Sequence, residues 1–121
     1  LPALVKASRI QGKASSAGFD WERSEKINKK VEEEIRELHK EVKEQNLTKI
    51  ESEFGDVLFS LINYARFIDV DPESALERTN QKFIKRFQYL ETEAAKDGKQ
   101  LTQMTLSEMD DYWNRAKVYF G

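Results

Sequence analysis

Apolar residues recur along this chain at intervals of three and four, the period of an amphipathic helix. Leu4, Val5, Ala7, Ile10 and Ala14 predict a first helix over about residues 2–15, with Arg9 and Lys13 on one basic edge. Ser15-Ser16-Ala17-Gly18 breaks the pattern. Asp20 is a candidate N-cap between Phe19 and Trp21, two aromatics that either pin the linker to the core or rim a pocket. Ile27, Val31, Ile35, Leu38 and Val42 predict a second helix over about residues 21–44. Gln45-Asn46-Leu47 makes a turn, and Thr48 with Glu51 reads as a capping box opening a third helix. From Phe54 to Ile68 that helix is apolar nearly all round, which predicts a central element buried on most sides and a candidate subunit face.

Asp71 as N-cap and Pro72 at the first position open a fourth helix. Its predicted core stripe is Leu76, Phe83, Phe87, Leu90 and Ala94, and Gly98 ends it. Thr105 and Glu108 form a second capping box, followed by Met109, Tyr112, Trp113, Ala116 and Phe120 as packing residues. The pattern predicts an all-α fold, a helical bundle of about five helices, with residues 1–121 as one domain.

Composition agrees: 35% of the residues are charged, 39% are hydrophobic, and there are two prolines. With 20 basic and 22 acidic residues the net charge is −2, so no basic excess calls for a nucleic-acid polymer. There is no cysteine, which excludes a disulfide framework and a thiolate nucleophile. No apolar run approaches a membrane span, and a cytoplasmic protein is expected.

The chemistry concentrates in two acidic clusters, Glu32-Glu33-Glu34 to Glu37 and Glu51 to Asp56. Glu34 with Glu37, and Glu53 with Asp56, stand three apart and so share helix faces. Two such helices facing each other would present four carboxylates to one point, an arrangement that needs a cation to offset their repulsion. Helical geometry turns Glu32 outward, leaves Glu33 undecided and sets Glu34 beside the apolar stripe. Glu41 and Glu44 read as a solvated face, and Glu51 reads as a cap. Gly55 admits a close approach by a facing helix or a phosphate, or simple packing.

Oxygen-only ligands favour a hard cation, Mg²⁺ with Mn²⁺ as a possible substitute. The di-iron bundles need Glu-x-x-His, and Arg36 stands three before the only histidine, His39, which reads as a surface residue. Without a Gly-rich phosphate loop, a nucleotide would be held through metal and side chains. Lys82 and Arg86, four apart, are candidate phosphate contacts. Trp113 reads first as core filler, and with Lys117 it is also a candidate stacking platform with a nearby cation. The chemistry this permits is metal-assisted phosphoanhydride hydrolysis. The rival readings are a helical dimerisation module, or a regulatory nucleotide-binding module without turnover.

Glu33-Glu34-x-x-Glu37 followed by Glu53-x-x-Asp56 resembles the signature of the MazG nucleoside triphosphate pyrophosphohydrolases. The resemblance extends over Leu1-Pro2-Ala3-Leu4, Gly18-Phe19-Asp20-Trp21, Gly55-Asp56-Val57-Leu58-Phe59, Asn80-x-Lys82-Phe83-x-x-Arg86-Phe87 and Met109-x-x-x-Trp113-x-x-x-Lys117. It implies an all-α homodimer that uses Mg²⁺ to split nucleoside triphosphates between the α and β phosphates, giving monophosphate and pyrophosphate. By matching positions it implies Glu34, Glu37, Glu53 and Asp56 as metal ligands and catalytic acids. Lys30, Lys82 and Arg86 are implied on phosphate, and Trp113 and Lys117 on base and nucleotide. Ser52 stands where related sequences often carry another acid. The chain resembles the C-terminal of the two similar domains in longer members, and a fragment of such a protein is expected.

Overall fold

A computed structural model describes residues 1–20 and 24–121. Its order is α1 (Ala3–Ser16), α2 (Ser24–Glu44), α3 (Leu47–Phe67), α4 (Pro72–Lys96), a short 3-10 helix (Leu101–Gln103) and α5 (Leu106–Tyr119). The all-α expectation holds, with five α-helices and no strand among the described residues. The predicted start of the second helix at Trp21 lies outside the described residues, as does any capping of it by Asp20.

The chain divides into two compact units, Leu1–Glu73 and Ser74–Gly121. In the first, α2 and α3 are joined by Gln45 and Asn46 and pack as a helical hairpin, and α1 leans on α3. Ile27 and Val31 of α2 and Val57 and Ile62 of α3 are buried, together with Gln11 of α1 and Asn63 of α3. Gln11 is fully buried and donates from Nε2 to the Phe59 carbonyl at 3.0 Å, tying α1 to α3. In the second unit, Leu90 and Ala94 of α4 and Tyr112 of α5 form the core, with Leu101, Met104, Met109 and Trp113 packed against it. Tyr112 also donates to Asp97 at 2.5 Å.

The helix ends show local chemistry setting the boundaries. Gly98, at φ +71°, closes α4: its N–H bonds to Ala95 O at 3.0 Å and Lys99 N–H bonds to Ala94 O at 2.9 Å. That is the double bond of a left-handed C-terminal cap, where glycine escapes the Cβ clash. The box opening α5 forms as predicted, with Glu108 N–H donating to Thr105 Oγ1 at 3.1 Å and Thr105 N–H donating to Glu108 Oε1 at 3.3 Å.

Four expectations about packing and capping are corrected. Asn46 caps α3, accepting from Lys49 N–H at 3.2 Å, so Thr48 lies inside the first turn and Glu51 is an exposed helix residue rather than a capping partner. Asparagine caps at least as well as threonine, and the turn already delivers the chain at Asn46. Helix α3 is not covered on most sides: Phe54, Leu58 and Leu61 are 54%, 47% and 43% exposed. The α4 stripe is buried only at Leu90 and Ala94, while Leu76, Phe83 and Phe87 are exposed. A Cβ built on Gly55 meets nothing within 4 Å, so close packing against the facing helix of the same chain does not explain that glycine.

Candidate metal centre

Helix α2 carries Glu34 one turn beyond the buried Val31, which draws its carboxylate toward α3; its side chain is 14% exposed. On α3, Glu53 and Asp56 stand one turn apart, before and beside the buried Val57. The hairpin brings these two faces together. One carboxylate oxygen from each of Glu34, Glu53 and Asp56 lies within 4.8 Å of the others.

Lys30 Nζ sits 3.0 Å from Glu34 Oε1, one turn back on α2 and half exposed. Glu53 holds its proton above the usual carboxylate range, first because the half-buried site strips away water, then because Glu37, Asp56, Glu34 and Glu41 surround it with negative charge. Glu37 therefore acts on Glu53 electrostatically while standing outside the group of three. Glu33 and Glu32 are exposed. Three oxygen donors from two helices, crowded enough to raise a carboxyl pKa, are the donor set that a hard divalent cation satisfies.

A pocket of about 410 Å³ opens beside the acids. Glu34, Asp56 and Lys30 line one end, Ile27 and Phe59 form apolar walls, and Ser60 and Asn63 close the rest. That volume lies in the range of small-molecule sites.

The remaining sequence candidates lie in the second unit. Lys82 is exposed and, with Arg78 and Lys85, lines an open basic groove beside Tyr119 and Phe120. Arg86 is committed locally: its Nε donates to the Phe120 carbonyl at 2.7 Å and its guanidinium lies 5.9 Å from the Trp113 ring. Trp113 is half-buried against the core of that unit, with Phe83 at 5.2 Å, and Lys117 is exposed.

Sequence reasoning missed three residues of the first unit. Glu41 is half-buried, not solvated, and its Oε2 has no hydrogen-bond partner among the described residues. Its position seven residues, about two turns, beyond Glu34 is the signal that places it on the acidic face. Asn63 stands as a polar residue inside the apolar run of α3, and Gln11 continues the stripe of Leu4 and Ala7. A polar residue at a core position is the available signal in both cases.

Comparison with known proteins fits this geometry. A family model described as the MazG nucleotide pyrophosphohydrolase domain matches residues 22–90, which include every acid of the centre. The chain is 47% identical over 117 residues to the nucleoside triphosphate pyrophosphohydrolase/pyrophosphatase MazG of Thermotoga maritima, covering 97% of this chain and 45% of that protein. It is 37% identical over 119 residues to the nucleoside triphosphate pyrophosphohydrolase of Escherichia coli, covering 97% of this chain and 45% of that protein. Against the uncharacterized protein YabN of Bacillus subtilis it is 50% identical over 68 residues, covering 56% of this chain and 14% of that protein. The chain thus spans about half the length of the first two relatives, and with these matches it belongs to the MazG nucleotide pyrophosphohydrolase domain family.

Proposed function

We propose that this domain hydrolyses nucleoside triphosphates between the α and β phosphates with a divalent cation, Mg²⁺ by preference, held by Glu34, Glu53 and Asp56. The observation that carries the reading is the convergence of those three carboxylates beside a nucleotide-sized pocket in a member of this family. When bound, Mg²⁺ supplies positive charge to the phosphate oxygens and orients water. The chain's own part is to hold the acids on two rigid helices, so that little reorganisation accompanies the reaction.

Lys30 is placed to exchange its contact with Glu34 for a phosphate oxygen. A carboxylate of the cluster accepts the proton of the attacking water. The water oxygen bonds to phosphorus as the bond to the α–β bridging oxygen breaks, and pyrophosphate leaves with that electron pair. Glu37 completes the acidic field. Lys82, Arg86, Trp113 and Lys117 are proposed as further nucleotide contacts, with Arg86 held in place by Phe120.

The exposed apolar stripe Phe54, Leu58 and Leu61 suits coverage by a second copy of the chain, and we assign the working form as a homodimer acting in the cytoplasm. Among the described residues no helix is long and apolar enough to cross a membrane.

Incubation with a panel of nucleoside triphosphates and Mg²⁺ tests the reaction. Monophosphate and pyrophosphate are the expected products. Diphosphate and orthophosphate would refute the cleavage position.

A further inference from the structure

The pocket beside the acids has two chemically different ends. Asp56, Ser60 and Asn63 follow one another at helical spacing on one face of α3, and all three line it. Seven residues separate the first from the last, about 10 Å along the helix axis. One end is therefore charged and suited to metal and phosphate. Among the described residues the other end carries no charge, with the amide of Asn63 and the hydroxyl of Ser60 set between the apolar Ile27 and Phe59.

The hydrogen-bonding sense of that neutral end is fixed from outside the pocket. Asn63 is 7% exposed, and its Oδ1 accepts from Arg66 Nη2 at 3.0 Å. Arg66 is itself held: the same Nη2 meets Asp20 Oδ1 at 2.7 Å, and its guanidinium lies 4.6 Å from the Phe67 ring centre. With the carboxamide oxygen turned to a cation, the NH₂ of Asn63 is turned the other way. Among the described residues Asn63 Nδ2 donates no hydrogen bond, and it is not a buried orphan. Ser60 spends its proton on the Val57 carbonyl at 2.8 Å, so toward the pocket its oxygen can only accept. The neutral end thus offers a fixed donor and a fixed acceptor between apolar walls, the features that read the edge of a planar heterocycle.

We propose that Asn63 is a specificity-determining residue that donates from Nδ2 to an acceptor on the nucleobase edge, a keto oxygen or a ring nitrogen. Arg66 and Asp20 act as positioning residues that lock the amide. The inference rests on the nucleotide reading above. A site built to make a hydrogen bond discriminates strongly, because a base without the matching group leaves the buried amide unpaired.

The test is kcat/KM for GTP, ATP, CTP and UTP with Mg²⁺, in the wild type and in three variants, each checked for helix content by circular dichroism. Asn63→Asp replaces the donor by an acceptor at the same size, and should reorder the four bases, moving the ratio of best to worst by about tenfold or more. Asn63→Leu should flatten the preference. Arg66→Met leaves Asn63 present but unlocked, and should also reduce the ratio; it decides the matter if the Asn63 variants do not fold. Inorganic tripolyphosphate, which lacks a base, should inhibit wild type and Asn63→Asp equally. Equal losses on all four nucleotides, an unchanged order in every folded variant, or weakened tripolyphosphate inhibition would overturn the assignment to the base while leaving the pyrophosphohydrolase reading intact. A wild type inactive on every triphosphate would instead refute both.

Discussion

Glu53 is where stability and function oppose each other. Its pKa is raised by loss of water and by Glu37, Asp56, Glu34 and Glu41, so the folded protein binds this proton more tightly than the unfolded chain does. The stability it contributes is present at low pH and is lost as pH climbs through the raised pKa. Two outcomes follow for the protein freed of divalent ions. Thermal stability at pH 7.5 should rise in Glu53→Gln, because repulsion is relieved, while triphosphate turnover, assayed with Mg²⁺ restored, falls by at least a hundredfold. Added Mg²⁺ should raise the melting temperature of the wild type more at pH 7.5 than at pH 5, since protons compete for the same oxygens. Calorimetric scans at the two pH values check both, and an equal Mg²⁺ effect at both would contradict the second. The i, i+3 spacing singles out Glu53 with Asp56 and Glu34 with Glu37; three of the four converge, and Glu37 stands outside that group. Glu41 reads as solvated within its charge run, and only its seven-residue step from Glu34, two turns along the same face, marks it as part of the acidic side.

Gln11 shows the same limit from the other side. It is fully buried, bonded through Nε2 to Phe59 O, and its Oε1 has no partner among the described residues. Gln11→Ala should cost about 2–3 kcal/mol, from the vacated volume and the lost bond between α1 and α3. A urea melt measures it.

Helix boundaries were more legible than helix burial, and the reason is physical. Caps are local: Gly98 and the Thr105–Glu108 box act within four residues, and both end up where their chemistry requires. The start of α3 was misread because two good caps, Asn46 and Thr48, stand two residues apart. The structure makes a discriminating prediction there. Asn46→Ala should cost about 1 kcal/mol, whereas Thr48→Ala should stay within about 0.5 kcal/mol of the wild type. Gln45, at φ +57°, holds a left-handed conformation that side chains other than glycine adopt at a cost. Gln45→Gly should therefore stabilise the hairpin by up to about 1 kcal/mol. Equilibrium unfolding of the three variants checks all of these together.

Across the molecule, the apolar pattern announced helices without saying which faces would be covered. Phe54, Leu58 and Leu61 on α3, and Leu76, Phe83 and Phe87 on α4, match core spacing as well as Ile27 or Leu90 do, yet they are exposed. Periodicity reports that a face wants covering, and the partner is a tertiary matter. The homodimer proposed above covers the α3 stripe, and light scattering should return twice the 14.2 kDa chain mass. Leu58→Asp should shift the chain toward monomer.

The central claim is that the three converging carboxylates are a cation site and not a solvated acidic face. Calorimetric titration of the metal-free wild type with Mn²⁺ and Mg²⁺, beside Asp56→Asn, tests it most directly. A saturable site is expected in the wild type, and its loss in the variant at unchanged helix content. Heats of dilution alone in the wild type, or the same isotherm in both proteins, would contradict it.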